Sequence, residues 1–296
     1  MTTVVEIAVM VRQGRNALNG FLRIDTALAE ATEALQAASE SPRLDAELLL
    51  ARAIDVPRSY LFAHADDEMD AAAAERFQNA IERRAEGVPL AYITGEKEFW
   101  SMMLMVSPAT LVPRPETEIL VDQALMIIPK DVQLRVLDLG TGSGAIALAI
   151  AKERPHCDVL ATDISEDALA VARVNARQHA IPNIEFVQGS WTDPVRDQSF
   201  DVIVSNPPYI LDNDPHLEDL GHEPRLALTS GEDGLNSIRK IAADAGNILN
   251  PGGTLLLEHG TEQEEAIAEI LAANDWMKVA VVKDLSGLPR VTLSSR

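Results

Sequence analysis

Residues 134–151 read Leu-Arg-Val-Leu-Asp-Leu-Gly-Thr-Gly-Ser-Gly-Ala-Ile-Ala-Leu-Ala-Ile-Ala, and their reading decides the fold. Leu134 to Leu139 has the short apolar run of a buried strand. Ala145 to Arg154 is built from strong helix formers. Between them Gly140, Gly142 and Gly144 alternate with Thr141 and Ser143. Glycine accepts positive φ and lets backbone approach a ligand closely, which suits a tight turn at a helix start. The plain alternative is an ordinary glycine-rich strand-to-helix connection.

Working outward, the same rhythm repeats. Val159 to Thr162 is a second strand ending at Asp163, Ile184 to Val187 a third with Trp191 just beyond, and Phe200 to Val204 a fourth followed by Asn206. Strands alternating with helical stretches predict an open, mainly parallel α/β sheet. Ligands in such sheets bind outside the carboxyl ends of the strands, where the glycine loop, Asp163, Trp191 and Asn206 all fall.

The chemistry follows from these ends. Gly140-x-Gly142-x-x-Ala145 also fits a dinucleotide fingerprint. Asp138, two residues before the loop, would repel a pyrophosphate and attract a donor carrying ammonium and sulfonium groups. That spelling points to S-adenosyl-L-methionine. Asp163 stands 23 residues after Gly140, where an acidic side chain can accept both ribose hydroxyls. Its other reading is a cap for the next helix, a task open also to Ser165. Trp191 can edge an adenine or pack in the core.

Residues 206–209 read Asn-Pro-Pro-Tyr. The Asn206 side-chain oxygen and the Pro207 carbonyl can accept both N–H groups of a planar amide or exocyclic amine, fixing a weak nucleophile for alkylation. Pro207 and Pro208 restrict φ and hold these acceptors rigidly, and Tyr209 can cover the substrate's flat face. Taken alone, the tetrapeptide reads equally well as a turn closing a strand. The candidate catalytic residues are thus Asn206, Pro207, Pro208 and Tyr209. The candidate donor-binding residues are Asp138, Gly140, Thr141, Gly142, Ser143, Gly144, Asp163, Trp191 and Asn206.

Composition bounds the rest. A chain of 296 residues predicts about two domains. Hydrophobic content of 47% and a mean hydropathy of zero describe a globular protein with ample core. The single Cys157 excludes internal disulfides and fits a reducing cytosol. No apolar run approaches the ~18 residues that span a bilayer. Without a basic start, and with Glu6 interrupting its only apolar stretch, the N-terminus is not expected to be a signal peptide. No zinc-type spacing appears and the six histidines are scattered, so no metal is expected. A net charge of −21, from 46 acidic and 25 basic residues, argues against a nucleic-acid partner.

Residues 1–20 form a leader of unclear role. Residues 21–95 read as helical: one helix from an Asp25/Thr26 cap to about Ser39, another from Ser41-Pro42 through Ile54, and a third from Asp67 to Glu86 stopped by Gly87. Residues 96–112 change to a hairpin linker, with strand character from Glu98 to Ser107. The α/β unit occupies 113–296, with a helix from Pro113-Arg114-Pro115 through about Ile128. Beyond Tyr209 come a polar loop, a helix (235–249), a strand (254–258), a helix (261–273) and β runs at 277–282 and 290–293.

Together these elements resemble the bacterial release-factor glutamine methyltransferases, the HemK/PrmC family, over nearly the whole chain from about residue 24. The glycine loop and Asn-Pro-Pro-Tyr carry part of the likeness. Arg84-Ala85-Glu86-Gly87-Val88-Pro89-Leu90-Ala91-Tyr92-Ile93-Thr94-Gly95 with Glu98-Phe99-Trp100, and Leu111-Val112-Pro113-Arg114-Pro115-Glu116-Thr117-Glu118, are particular to it. Leu257-Glu258-His259-Gly260 and Pro289-Arg290-Val291 fit it too. The resemblance implies a Rossmann-like class I S-adenosylmethionine-dependent methyltransferase sheet of seven strands, the last pair antiparallel. It also implies a small helical N-terminal domain that grips the protein substrate, joined by the β-hairpin. The implied reaction is methyl transfer to the side-chain N5 of the glutamine in the Gly-Gly-Gln motif of peptide chain release factors, by a cytoplasmic monomer. A ribosomal-protein glutamine or an adenine N6 as acceptor are the competing readings.

Overall fold

The computed structural model describes residues 22–296, so the leader at 1–20 lies outside the described residues. The chain divides into two compact units, one ending at Gly95 and one beginning at Glu96.

The first unit is a set of short helices over one core. Strand β1 (Leu22–Arg23) leads into α1 (Ile24–Ala34), followed by α2 (Pro42–Ala53) and α3 (Arg58–Ala63). Strand β2 (Glu68–Met69) pairs with β1, and α4 (Ala71–Ala85) and α5 (Leu90–Thr94) complete the unit. Ile24, Ala27, Leu28 and Ala31 recur at helical spacing and face the core with Leu49, Leu50, Phe77 and Ile81. The unit differs from expectation at its boundaries. Asp25 lies inside the first turn of α1, bonded to Arg23 and Thr26, and Arg23 takes the cap position. That helix closes at Ala34, short of Ser39. The long third helix starts at Ala71, because Glu68 and Met69 pair with β1 and the Asp70 carboxylate caps the Ala73 N–H at 2.7 Å. Helices α3 and α5 are too short to show a period in the sequence.

The second unit opens with an antiparallel hairpin, β3 (Glu96–Phe99) and β4 (Met102–Met105), whose turn residues Trp100 and Ser101 sit at φ +51° and +52°. The strands stop at Met105, and 106–112 runs on as loop rather than hairpin. Phe99, Met102 and Leu104 share the second unit's core. Helix α6 (Glu118–Ile127) follows, then β5 (Arg135–Leu139), α7 (Ala145–Glu153), β6 (Asp158–Asp163), α8 (Glu166–Gln178), β7 (Ile184–Gln188) and β8 (Phe200–Ser205). The unit ends with α9 (Asn236–Ala245), β9 (Leu249–Glu258), α10 (Glu264–Ala273), β10 (Met277–Lys283) and β11 (Pro289–Ser295).

These strands form one seven-stranded sheet in the order β10-β11-β9-β8-β5-β6-β7. The five from β9 to β7 are parallel, β11 runs antiparallel to β9, and β10 antiparallel to β11. Side chains alternate between two cores: Val136 joins the face covered by α6 and α7, while Leu137 and Leu139 join the face covered by α9 and α10. Burial on both faces explains why these strands read as continuous apolar runs. The strand order reverses between β5 and β8, which puts a crevice at their carboxyl ends. Among the described residues, no helix is long and apolar enough to cross a membrane.

Candidate active site

The glycine loop wraps the end of β5. Gly140, Gly142 and Gly144 hold φ of +76°, +57° and +84°. A Cβ on Gly140 would come within 3.2 Å of the Trp191 ring, and one on Gly144 within 3.0 Å of Leu148 and 3.2 Å of Ala172. The loop is strapped to β6: the Gly140 and Thr141 amides donate to the Thr162 carbonyl at 2.9 and 3.0 Å. The Gly142 amide donates to Asp163 Oδ2 at 2.8 Å. Buried Asn175 on α8 braces it from behind, donating to Ser143 O at 2.9 Å and Met105 O at 3.0 Å.

Asp163 does not cap α8. Its Oδ1 accepts the Ser165 amide at 2.9 Å, while Ser165 Oγ accepts the Ala168 amide and caps the helix. Each Asp163 oxygen keeps a further lone pair, so the carboxylate can still accept two hydroxyls. Burial pushes its pKa above the usual carboxylate value. Trp191 packs against the core of the α9/α10 face and also lines the crevice.

The crevice is a cavity of about 480 Å³. Gly140, Thr141, Gly142, Ser143, Asp163, Trp191, Asn206 and Pro208 lie on its wall. Asp138, Gly144, Pro207 and Tyr209 do not. Asp138 is fully buried beneath the loop, accepting the Thr141 hydroxyl at 2.7 Å. Burial, with the charge of Asp163 nearby, raises it to about 7. The carboxyl stands behind Thr141 rather than on the cavity wall, and its Oδ1 is buried with no partner. Tyr209 is pushed up to about 12 by burial and by Glu258, so its phenol stays neutral. The Gln263 amide holds the Tyr209 carbonyl at 3.0 Å.

Asn206 is held from one side only. Its Nδ2 donates to Thr117 Oγ1 at 3.2 Å, while its Oδ1 is buried with no partner. An unpaired buried acceptor costs about 1–3 kcal/mol. It is the kind of group a ligand N–H would satisfy.

Sequence reasoning missed several parts of this site. Glu223, 7% exposed, accepts the Val112 amide at 2.9 Å and pairs with Arg114. That ties the two loops, 109–117 and 224–229, that form the far wall of the cavity. Glu258, 2% exposed, contacts Thr117 and Asn206 through its carboxylate, with Oε2 unpartnered. Burial raises it to about 7. The available signal was the Pro113–Glu118 stretch and Leu257-Glu258-His259-Gly260, which marked the family without disclosing these contacts.

The raised groups carry a stability consequence. Asp138 and Glu258 start from 3.8 and 4.5 and reach about 7 in the fold. Between those limits the folded chain holds more protons than the unfolded one, so raising the pH costs stability. The donor-free protein is expected to lose stability from about pH 4.5 to beyond pH 7, and urea titrations at pH 5.0 and 8.0 check it. Equal or greater stability at pH 8.0 would contradict the burial of both carboxyls.

Comparison with known proteins agrees with this geometry. Residues 26–95 match the PrmC N-terminal domain and residues 130–287 a methyltransferase domain. The release factor glutamine methyltransferase of Coxiella burnetii is 46% identical over 275 residues, covering 93% of this chain and 99% of its own length. That of Escherichia coli K12 is 44% identical over 268 residues, 90% of this chain and 96% of its own. The chain belongs to the release factor glutamine methyltransferase family. It is therefore an enzyme of the methyltransferase class, and its helical unit is that family's N-terminal domain. A methyltransferase of Pyrococcus furiosus matches with a TM-score of 0.51 at 23% identity over 66% of this chain and 88% of its own. At that identity the likeness shows the fold alone.

Proposed function

We propose that this enzyme transfers a methyl group from S-adenosyl-L-methionine to the side-chain N5 of the glutamine in the Gly-Gly-Gln motif of peptide chain release factors. The observation that carries the reading is Asn206, an unpaired acceptor on the wall of a cavity whose other end is the glycine loop. The residues present fit the donor. Asp163 has acceptor capacity for the ribose hydroxyls, Trp191 offers a ring for the adenine, and about 480 Å³ falls in the usual ligand range of roughly 300–1,000 Å³. When bound, the donor supplies an electrophilic methyl group on sulfur.

The chain's own residues do the rest. Asn206 Oδ1, on the wall, and the Pro207 carbonyl, one residue behind it, would accept the two N–H groups of the substrate amide and so orient its nitrogen. These acceptors would favour the positive charge that develops on the amide nitrogen as it takes the methyl group, and would hold that nitrogen until its surplus proton passes to solvent. The pre-set acceptors pay no reorganisation cost at that moment. Tyr209, neutral, lies just behind the cavity wall, where its ring would have to turn inward to cover the amide face. The helical unit, where Phe62 is 62% exposed, grips the release factor, and the monomeric enzyme works in the cytosol beside its substrate.

The test supplies isotopically labelled donor to the enzyme with a release factor, its Gly-Gly-Asn variant and unmethylated DNA in parallel. Label on the release factor alone supports the reading. Label on DNA, or undiminished label on the variant, defeats the glutamine assignment. The net charge of −21 favours the protein acceptor.

A further inference from the structure

Asn206 and Glu258 occupy corresponding places at the carboxyl ends of neighbouring parallel strands. Ser205 pairs in register with Leu257, so the next residue of each strand, Asn206 and Glu258, emerges beside the other. Thr117 reaches the same point from the Pro115–Thr117 turn. An asparagine amide has near-identical volume in its two orientations but opposite polarity. One presents an acceptor to the substrate amide, the other an NH₂ facing another NH₂. Something must choose between them.

We propose that Glu258 is a positioning residue for methyl transfer: with Thr117 Oγ1 it takes the two Nδ2 hydrogens of Asn206, leaving Oδ1 to receive the substrate amide. The inference rests on the proposed acceptor chemistry. An ionised Glu258 can only accept, so it selects the productive orientation. A protonated Glu258 carries an O–H that can donate to Asn206 Oδ1, and the flipped amide then competes.

The groups around Glu258 set where this selection operates. Arg290 from β11 favours its charge and Glu116 opposes it. Tyr209 is a neutral phenol, and Arg114 also faces that ring. His259 is kept neutral by burial, held between the Gly260 carbonyl and the Thr292 hydroxyl. Burial, with Oε2 unpartnered, outweighs the hydrogen bonds and places the ionisation near pH 7. Turnover should therefore rise with pH across that range, as the accepting form replaces the donating one.

Two substitutions separate positioning from other roles. Glu258→Ala removes the acceptor and should lower kcat by about ten- to a hundredfold through misorientation, with KM for release factor nearly constant. Glu258→Gln, like the protonated acid, offers both an acceptor and a donor and cannot ionise, so it should hold turnover near the wild type's low-pH level with a flat profile between pH 6 and 8. A readout independent of turnover is the Asn206 side-chain NH₂ resonance of the protein alone. It should shift with one ionisation near pH 7 in the wild type and lose that step in Glu258→Gln. If Glu258→Gln keeps the wild-type pH profile or the wild type's full high-pH turnover, or if the Asn206 resonance does not titrate in the wild type, Glu258 does not position Asn206. Absence of any transfer by the wild type would instead overturn the acceptor assignment, while the resonance experiment would still judge the contact.

Discussion

Replacing Asn206 by alanine is expected to cut kcat by about two to three orders of magnitude and to leave donor affinity near normal, the size of effect seen when one preorganised polar contact is removed. The asymmetry has a structural cause. Asn206 follows β8 with Oδ1 unpartnered, while the glycine loop and Asp163 are strapped to each other across β5 and β6. Alanine removes the acceptor without touching that strap. Single-turnover kinetics beside calorimetric titration of the donor separate the two quantities. Turnover surviving within a few-fold would mean that the amide is oriented by other groups.

Asp163→Ala should act the other way, weakening donor binding about ten- to a hundredfold. Each hydrogen bond to a charged group is worth about 1.5–3 kcal/mol, and about 1.4 kcal/mol is a factor of ten. The carboxylate does two jobs here, since it also accepts the Gly142 and Ser165 amides and so sets the loop. Asp163→Asn keeps the volume and one acceptor, and its affinity should fall between the two. Calorimetry decides, with a thermal melt to confirm folding. Unchanged affinity in the alanine variant would remove Asp163 from the donor site.

The donor half of this site was legible in the sequence because it is local. Three glycines at alternate positions, a strand before and a helix after, occupy one continuous stretch, and each glycine proves to hold a positive φ. Asp163, Trp191 and Asn206 were readable by the same rule, each lying just past a strand in a sheet that buries both faces. The opposite wall was not. Glu223 reaches Val112 and Arg114 across more than a hundred residues, and Asn175 joins Ser143 to Met105. Buried polar partners of this kind have no period and no spacing to betray them. For Asp138 the residue type was legible but its burial beneath Thr141 was not. At 67–71 the helix boundary slipped, because a two-residue strand pairing with Leu22 and Arg23 overrode local helix propensity.

The central claim concerns one atom of the substrate. A release factor incubated with this enzyme and S-adenosyl-L-methionine, then digested and sequenced by mass spectrometry, locates the transferred group. The account predicts a single added methyl on the side-chain nitrogen of the Gly-Gly-Gln glutamine, absent when Asn206→Ala enzyme is used under the same short incubation. A methyl on any other residue, or an unmodified Gly-Gly-Gln peptide after complete incubation with active donor-bound enzyme, would contradict it.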